Sequence, residues 1–174
     1  ELCGDKNGRM YIRSGNDLIK LDIYTEQFTC LRQKGVYGLF CKKDTLWVSC
    51  ADGIYYYTGQ GTELTFFARV QKGFVGRALY VDKETVWVVT RKYLVAISRE
   101  DPLRQEILLT LDKGNCILGD SSGNIWVGAW NGLYRVSPDR ETTAYVSHSG
   151  MGELSDNQVR CVLEDDFKHI WVGT

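Results

Sequence analysis

The sequence predicts an all-β fold, a β-propeller whose blades each contain four antiparallel strands. Three observations predict it. An aromatic residue followed by Val or Ile recurs about every 40 residues, and short alternating apolar segments separated by turn residues lie between these pairs. No segment combines the 3.6-residue apolar period of a helix with helix-capping residues. One four-stranded sheet cannot cover both of its faces alone, so repeated sheets of this size stack as propeller blades.

The recurring aromatic residue defines the repeat. The intervals between successive copies are 36, 40, 39 and 45 residues. The five copies are Tyr11, Trp47, Trp87, Trp126 and Trp171. An apolar residue stands seven positions after each of the first four copies, as Leu18, Ile54, Leu94 and Leu133. We expect each aromatic side chain to fill the space between neighbouring blades.

The repeats divide the 174 residues into four blades and the first half of a fifth. The divisions are 1–31, with an incomplete inner strand, then 32–70, 71–111, 112–148 and 149–174. Propellers close with about four to eight blades. We therefore expect an open arc from a larger ring, whose end blades are covered by the rest of that ring or by a second chain, because unpaired strand edges promote association.

The first strand of each blade should approach the propeller axis, where space is short. Four small residues occupy matching places on that strand, about four residues before the following turn. They are Gly38, Ala78, Cys116 and Cys161. Their size supports the propeller prediction independently of the aromatic repeat.

Composition excludes several classes of function. Lys and Arg total 21 and Asp and Glu total 22, giving a formal net charge of −1. This balance argues against nucleic-acid binding, which usually requires a basic surface. No apolar run reaches the roughly 18 residues of a membrane span, and no signal peptide precedes the first repeat.

Metal and catalytic sites are not indicated. The six cysteines form no Cys-x-x-Cys pair, and we expect most of them to be reduced and buried as small hydrophobic residues. The two histidines, His148 and His169, are too few for a catalytic or metal site. Asp5 and Asp120 begin Asp-x-x-Gly turns, which offer too few oxygen ligands for calcium and are typical of Asx turns. We therefore predict no metal, no cofactor and no catalytic residue.

The turns between the second and third strands are the candidate ligand-binding positions. Trp130 lies there, out of register with the repeat, and Asn131 follows it. An exposed Trp beside an amide suits sugar binding, but it suits a protein interface or packing against a neighbouring loop equally well. Arg91 and Tyr93 occupy the same turn of the third repeat. All three interpretations of Trp130 stay open.

The last repeat resembles the two-component regulator propeller repeat. It reads LSDNQVRCVLEDD over residues 154–166 and IWVGT over residues 170–174. The fourth repeat matches through Asp120, Gly123, residues 125–128 and residues 132–133, and the first through Asp5, Gly8 and Leu18. The second and third repeats diverge: both lack the turn glycine, and Tyr93 replaces the glycine before Leu94. In the fifth repeat Lys168 replaces the turn glycine.

This resemblance implies a function that composition alone does not. Proteins with such repeats are typically hybrid two-component sensors, whose periplasmic part resembles two seven-bladed propellers. A membrane helix, a histidine kinase and phosphorelay domains follow, and these proteins commonly sense oligosaccharides as dimers. The resemblance implies that this chain is the extracytoplasmic part of an inner-membrane sensor, with the kinase outside the chain.

Three functions follow in order of preference. The first is a signal-input propeller that senses an oligosaccharide. The second is a structural or protein-interaction propeller without a small-molecule ligand. The third is a propeller lyase or glycosidase, which is disfavoured because no paired carboxylates or His–Glu set recur at matching blade positions.

Overall fold

The computed structural model describes residues 1–147 and 154–174, so His148 lies outside the described residues. Over these ranges the chain forms four four-stranded antiparallel sheets and one two-stranded sheet. Consecutive strands pair with each other in every sheet. The fold is all-β, and the sheets are propeller blades, as the sequence predicts. The described residues contain no helix that is long and apolar enough to cross a membrane.

The strands follow the repeat closely. The first sheet contains β1 (Leu2–Gly4), β2 (Arg9–Ser14), β3 (Asp17–Asp22) and β4 (Gln27–Arg32). The second contains β5 (Val36–Lys42), β6 (Thr45–Cys50), β7 (Gly53–Tyr57) and β8 (Thr65–Ala68). The third contains β9 (Gly76–Val81), β10 (Thr85–Thr90), β11 (Tyr93–Ser98) and β12 (Gln105–Thr110). The fourth contains β13 (Cys116–Gly119), β14 (Ile125–Ala129), β15 (Gly132–Val136) and β16 (Thr142–Tyr145). The two-stranded sheet contains β17 (Cys161–Glu164) and β18 (Ile170–Gly173).

The hydrophobic core lies between successive sheets. Trp47 belongs to a buried cluster with Leu79 and Val88 of the third sheet, and it is only 5% exposed. Trp87 packs in the same way against the fourth sheet and is 7% exposed. Tyr11 is fully buried against the second sheet. Each of these aromatic side chains therefore fills the space between its own blade and the next.

The last two aromatic residues of the repeat are more exposed. Trp126 is half-buried, with its ring centroid 5.8 Å from that of Tyr145. Trp171 is 62% exposed, which differs from the buried inter-blade position expected for it. The physical reason is that β18 pairs with β17 alone, and no further strand among the described residues covers the indole.

The small residues of the first strands occupy equivalent places. Each pairs with the residue two positions after the aromatic of its repeat. The pairs are Gly38 with Ser49, Ala78 with Val89, Cys116 with Gly128, and Cys161 with Gly173. At Gly38 a Cβ atom would lie 2.6 Å from the carbonyl oxygen of Arg77 on the next inner strand. Close approach of two inner strands therefore requires glycine there.

In four repeats a turn aspartate lies five or six residues before the aromatic residue and bonds to it. Asp82, Asp120 and Asp165 each accept a hydrogen bond from the indole Nε1–H of their own repeat, at 2.6, 2.8 and 2.8 Å. In the first repeat the Tyr11 hydroxyl donates to Asp5 at 3.2 Å. The same carboxylates accept backbone N–H groups of the turn, as in an Asx turn. The aspartates therefore hold the turn and orient the core aromatic.

The positive-φ position of these turns does not require glycine. Gly8 and Gly123 adopt φ of 73° and 85°. Lys168 replaces the turn glycine in the fifth repeat and still adopts φ of 67°. The left-handed backbone conformation is less favourable in free energy for lysine than for glycine. The hydrogen bonds that the Asp165 carboxylate accepts therefore maintain this turn despite that cost.

Acid should destabilise the protein through these aspartates. The Trp171 indole and the backbone N–H groups of the turn lower the pKa of Asp165 to about 2. At Asp120 burial raises the pKa, but the bonds from Trp126 and Asn124 outweigh it and the pKa is lowered. Because these values lie below the unfolded value of about 3.9, the stabilisation is complete above that pH and is lost as the pH falls through the folded pKa. We expect the urea midpoint to fall between about pH 4 and pH 2.

Two variants test this assignment. In Asp120→Asn the acid-dependent fall of the urea midpoint should be smaller, because one of the ionised acceptors is removed. Asp139→Asn is the matched control, because the Asp139 carboxylate accepts no hydrogen bond within the described ranges, and it should retain the full fall. An unchanged acid dependence in Asp120→Asn would contradict the assignment.

The cysteines are more exposed than expected. All six are unpaired: Cys50 is buried, Cys3, Cys41 and Cys116 are half-buried, and Cys30 and Cys161 are exposed. The expectation that most of the cysteines are buried is therefore wrong, since only Cys50 is buried. Cys161 is exposed because no further sheet among the described residues follows β17 and β18 to cover it.

Candidate functional site

One end of the sheets brings several connections together. The turns between second and third strands lie there, at residues 15–16, 51–52, 91–92 and 130–131, beside the loops that join successive sheets. Backbone hydrogen bonds tie these segments to each other: the Ala51 N–H donates to Gly35 O at 2.7 Å, and the Leu111 N–H donates to Lys92 O at 2.7 Å. We call this end of the sheets the loop face. The strands of the blades fix the backbone of the turns and loops on this face.

A cavity of about 700 Å³ lies between the inner strands, and Asn16 of the β2–β3 turn on the loop face is among its lining residues. Four of its lining residues immediately precede the small residues of the inner strands. These four are Tyr37, Arg77, Asn115 and Arg160. Because the repeat places them at equivalent positions, the cavity receives one polar or aromatic side chain from each of four successive blades. We call this space the axial cavity.

Two of the polar side chains in the axial cavity are already engaged. The Glu1 carboxylate accepts hydrogen bonds from the Leu39 N–H at 3.2 Å and from Arg13 Nε at 3.3 Å. Burial raises the pKa of the Glu1 carboxyl although both bonds favour its ionised form. Arg13 also donates to the Gly15 carbonyl at 3.1 Å. Glu1 and Arg13 therefore form a paired wall of the cavity.

Asn115 joins the fourth blade to the fifth. Its side-chain Nδ2 donates to the carbonyl oxygens of Val159 and Arg160, at 3.3 and 3.1 Å. Its amide oxygen accepts no hydrogen bond from the described residues and is left for other partners. Two hydrogen bonds therefore hold the Asn115 side chain in place, and the oxygen of the same amide is available as a hydrogen-bond acceptor.

A second, smaller pocket of about 400 Å³ adjoins the axial cavity. Tyr37 and Arg77 line both spaces, so these two residues form a boundary that the spaces share. The β8–β9 loop contributes one wall through Phe74, and the β10–β11 turn contributes the other through Arg91 and Lys92. We call this space the side pocket. No carboxylate is among its lining residues.

The side pocket is fixed by its turn and by an aromatic contact. The Thr90 hydroxyl accepts from the Tyr93 N–H at 2.9 Å and donates to the Tyr93 carbonyl at 3.1 Å. The Tyr93 ring packs against Phe74 with the centroids 4.8 Å apart. These contacts hold the Arg91–Lys92 turn opposite Phe74.

The four candidate ligand-binding residues predicted from the sequence lie in different surroundings in the structure. Arg91 lines the side pocket, whereas Tyr93 is half-buried against the core behind it. Trp130 is 44% exposed on the loop face, and the Lys113 ammonium lies 3.5 Å from the centroid of its ring. The Asn131 side-chain oxygen accepts the Asp112 N–H at 3.1 Å. Trp130 and Asn131 line neither cavity, and a ligand role for them stays a prediction.

Sequence reasoning missed Tyr37, Arg77 and Asn115. The signal that finds them is their position, one residue before the small inner-strand residue of the repeat. Arg160 occupies the same position in the fifth repeat.

The chain is a series of β-propeller blades with a polar axial cavity, and comparisons with known proteins agree with this class. The family model of the two component regulator propeller matches residues 153–174. The predicted resemblance is therefore confirmed over the last repeat. No curated protein sequence matches the chain significantly.

Solved structures show the same fold. The extracellular domain of the hybrid two component system BT4673 from B. thetaiotaomicron superposes with a TM-score of 0.83 over 99% of this chain at 17% identity. That of BT3049 from the same organism gives 0.81 over 100% of this chain at 17% identity. The chain spans about a quarter of the length of both, since it covers 25% of each. Virginiamycin B lyase from Staphylococcus aureus gives 0.75 at 10% identity, over 98% of this chain and 61% of the lyase.

Proposed function

We propose that the chain is a signal-input propeller in the periplasmic part of a hybrid two-component regulator. In this proposal it binds an oligosaccharide on the loop face and signals to a histidine kinase outside the chain. The match of residues 153–174 to the regulator propeller family is the observation that carries the proposal. The likeness in fold to the extracellular domains of hybrid two component systems supports it.

The axial cavity has the chemistry that a sugar requires. Hydroxyl groups need donors and acceptors, which Arg77 and Asn115 supply, and the C–H faces of a sugar ring pack on aromatic rings such as Tyr37. The cavity is lined by several blades, so one ligand would contact side chains from more than one repeat. Packed blades deform little, and such contacts would transmit binding as a rigid-body shift between propellers, within a dimer of the parent sensor.

The proposal treats the chain as non-catalytic. The likeness to a lyase extends to the fold alone, at 10% identity. Within the described ranges the only histidine is His169, which is exposed in the β17–β18 turn and contacts Asp165 at 3.1 Å. That turn lies at the end of the sheets opposite the loop face. Among residues 1–147 and 154–174, no arrangement of side chains favours a lyase or glycosidase function.

A screen of oligosaccharides by thermal shift tests the proposed function. A ligand that binds only the folded protein raises the Tm progressively with its concentration. We expect at least one glycan fragment to do so, and we expect Tyr37→Ala to abolish the shift because the side chain lines both spaces. Titration calorimetry on the same pair of proteins would give the affinities.

Trp130→Ala is the matched variant for the alternative position. If it alone abolishes the shift, the ligand binds at the Trp130 turn and the axial cavity is not the site. If no glycan shifts the Tm of the unmodified protein, the sensing of oligosaccharides by this chain is contradicted. In that outcome a protein-interaction propeller is favoured, for which the exposed indole of Trp130 is an anchor of the usual kind.

A further inference from the structure

The side pocket carries an unbalanced positive charge. Arg77, Arg91 and Lys92 line it together, and the lining contains no carboxylate. In the described part of the chain the guanidinium groups of Arg77 and Arg91 and the ammonium of Lys92 form no ion pair. Arg32 and Arg13 behave differently, since Arg32 pairs with Asp52 at 2.7 Å and Arg13 pairs with Glu1 at 3.3 Å.

The acid of the β6–β7 turn does not neutralise the pocket. Asp52 lies in the β6–β7 turn on the other side of Phe74. Its carboxylate is bound by the Arg32 guanidinium and by the Tyr55 hydroxyl, at 2.7 and 2.9 Å. These bonds outweigh burial and lower the pKa of Asp52. The negative charge of Asp52 is therefore directed away from Arg77, Arg91 and Lys92.

We propose that the side pocket binds the anionic group, a carboxylate or a sulfate, of an acidic oligosaccharide whose sugar rings extend into the axial cavity. This inference rests on the proposed function and names the class of its ligand. Three cations held near each other repel one another, and an anion placed among them relieves that repulsion. Arginine suits this role because its planar guanidinium donates two parallel hydrogen bonds to a carboxylate or sulfate.

The geometry also positions the sugar. Arg77 and Tyr37 line both spaces, so an anion bound by Arg77 places its ring beside the Tyr37 side chain. The Phe74 wall of the side pocket offers apolar surface to the C–H groups of the same ring. A neutral oligosaccharide would leave the three cations without a partner.

Calorimetry with matched glycans tests the inference. The probes are a galacturonate trisaccharide, a sulfated disaccharide, a neutral galactose trisaccharide, and inorganic sulfate alone. We expect an acidic probe to bind more tightly than the neutral one and to weaken as the ionic strength rises. The carboxylate and sulfate arms decide which anion the pocket prefers.

Charge-removing variants locate the binding. Arg77→Gln and Arg91→Gln should each weaken the acidic probe about tenfold or more, since a charge-assisted hydrogen bond is lost. The matched control is Arg104→Gln, an exposed arginine in the β11–β12 loop at the opposite end of the sheets. It should leave the affinity unchanged. All three side chains are exposed, so the unliganded Tm should not fall in any of the variants.

The outcomes separate this inference from the proposed function. Binding of neutral glycans alone, or acidic binding that Arg77→Gln and Arg91→Gln leave unchanged, would overturn the inference and keep the oligosaccharide sensor. If inorganic sulfate binds in a manner that depends on Arg77 and no glycan binds, the side pocket is an anion site. The proposed function as an oligosaccharide sensor is then contradicted. Absence of binding by every probe would overturn both.

Discussion

Replacement of Trp87 by alanine should lower the free energy of unfolding by about 3–5 kcal/mol. The indole is 7% exposed and packs in one cluster with Leu94, Ile125 and Val127, between the third and fourth sheets. Alanine would leave a void there, because the two sheets are each held by their own backbone bonds and cannot close the gap completely. Urea unfolding followed by far-UV circular dichroism measures the loss.

Trp171→Ala is the matched control for Trp87→Ala. Both indoles donate Nε1–H to the turn aspartate of their repeat, at 2.6 Å for Trp87 and 2.8 Å for Trp171. Trp171 is 62% exposed, so its removal should cost much less than the removal of Trp87. The difference between the two variants isolates the burial of the aromatic between blades. Equal losses would contradict an inter-blade role for Trp87.

The fold is predictable from the sequence because its determinants are local. The aromatic residue, the turn aspartate that binds its indole and the small inner-strand residue all lie within about 15 residues of each other in a repeat. Each repeat therefore carries the information for one blade, and stacking follows because a blade cannot bury both faces alone. Substitutions such as Lys168 for the turn glycine obscure single repeats but leave the period unchanged.

The candidate site is less predictable because no single repeat contains it. Tyr37, Arg77 and Asn115 come from three blades, and they meet only because the inner strands converge. Tyr93 shows the opposite error: in sequence it looks like a turn residue, but the turn has only two residues, and Tyr93 begins β11 and packs on Phe74. The contact of the Lys113 ammonium with the Trp130 ring also could not be predicted from the repeat, because Lys113 lies in the preceding inter-blade loop.

The second large effect is expected at the axis. Gly38→Ala should lower the free energy of unfolding by about 1–3 kcal/mol, the usual cost of overpacking. The added Cβ would lie 2.6 Å from the Arg77 carbonyl oxygen and 3.1 Å from the Arg77 carbonyl carbon. Both are backbone atoms of β9, so the whole inner strand of the third blade must shift to relieve the contact.

Gly4→Ala is the matched control for Gly38→Ala, because Gly4 also lies in a first strand and a Cβ there would meet its nearest atom at an ordinary 3.6 Å. Its effect should stay within about 0.5 kcal/mol. Gly38→Ala has a second consequence, since displacing the Arg77 backbone also displaces its guanidinium from the side pocket. A variant that loses stability and also weakens an acidic probe would link the packing of the axis to the site. Equal stability of the two variants would show that the inner strands have room for a side chain at Gly38.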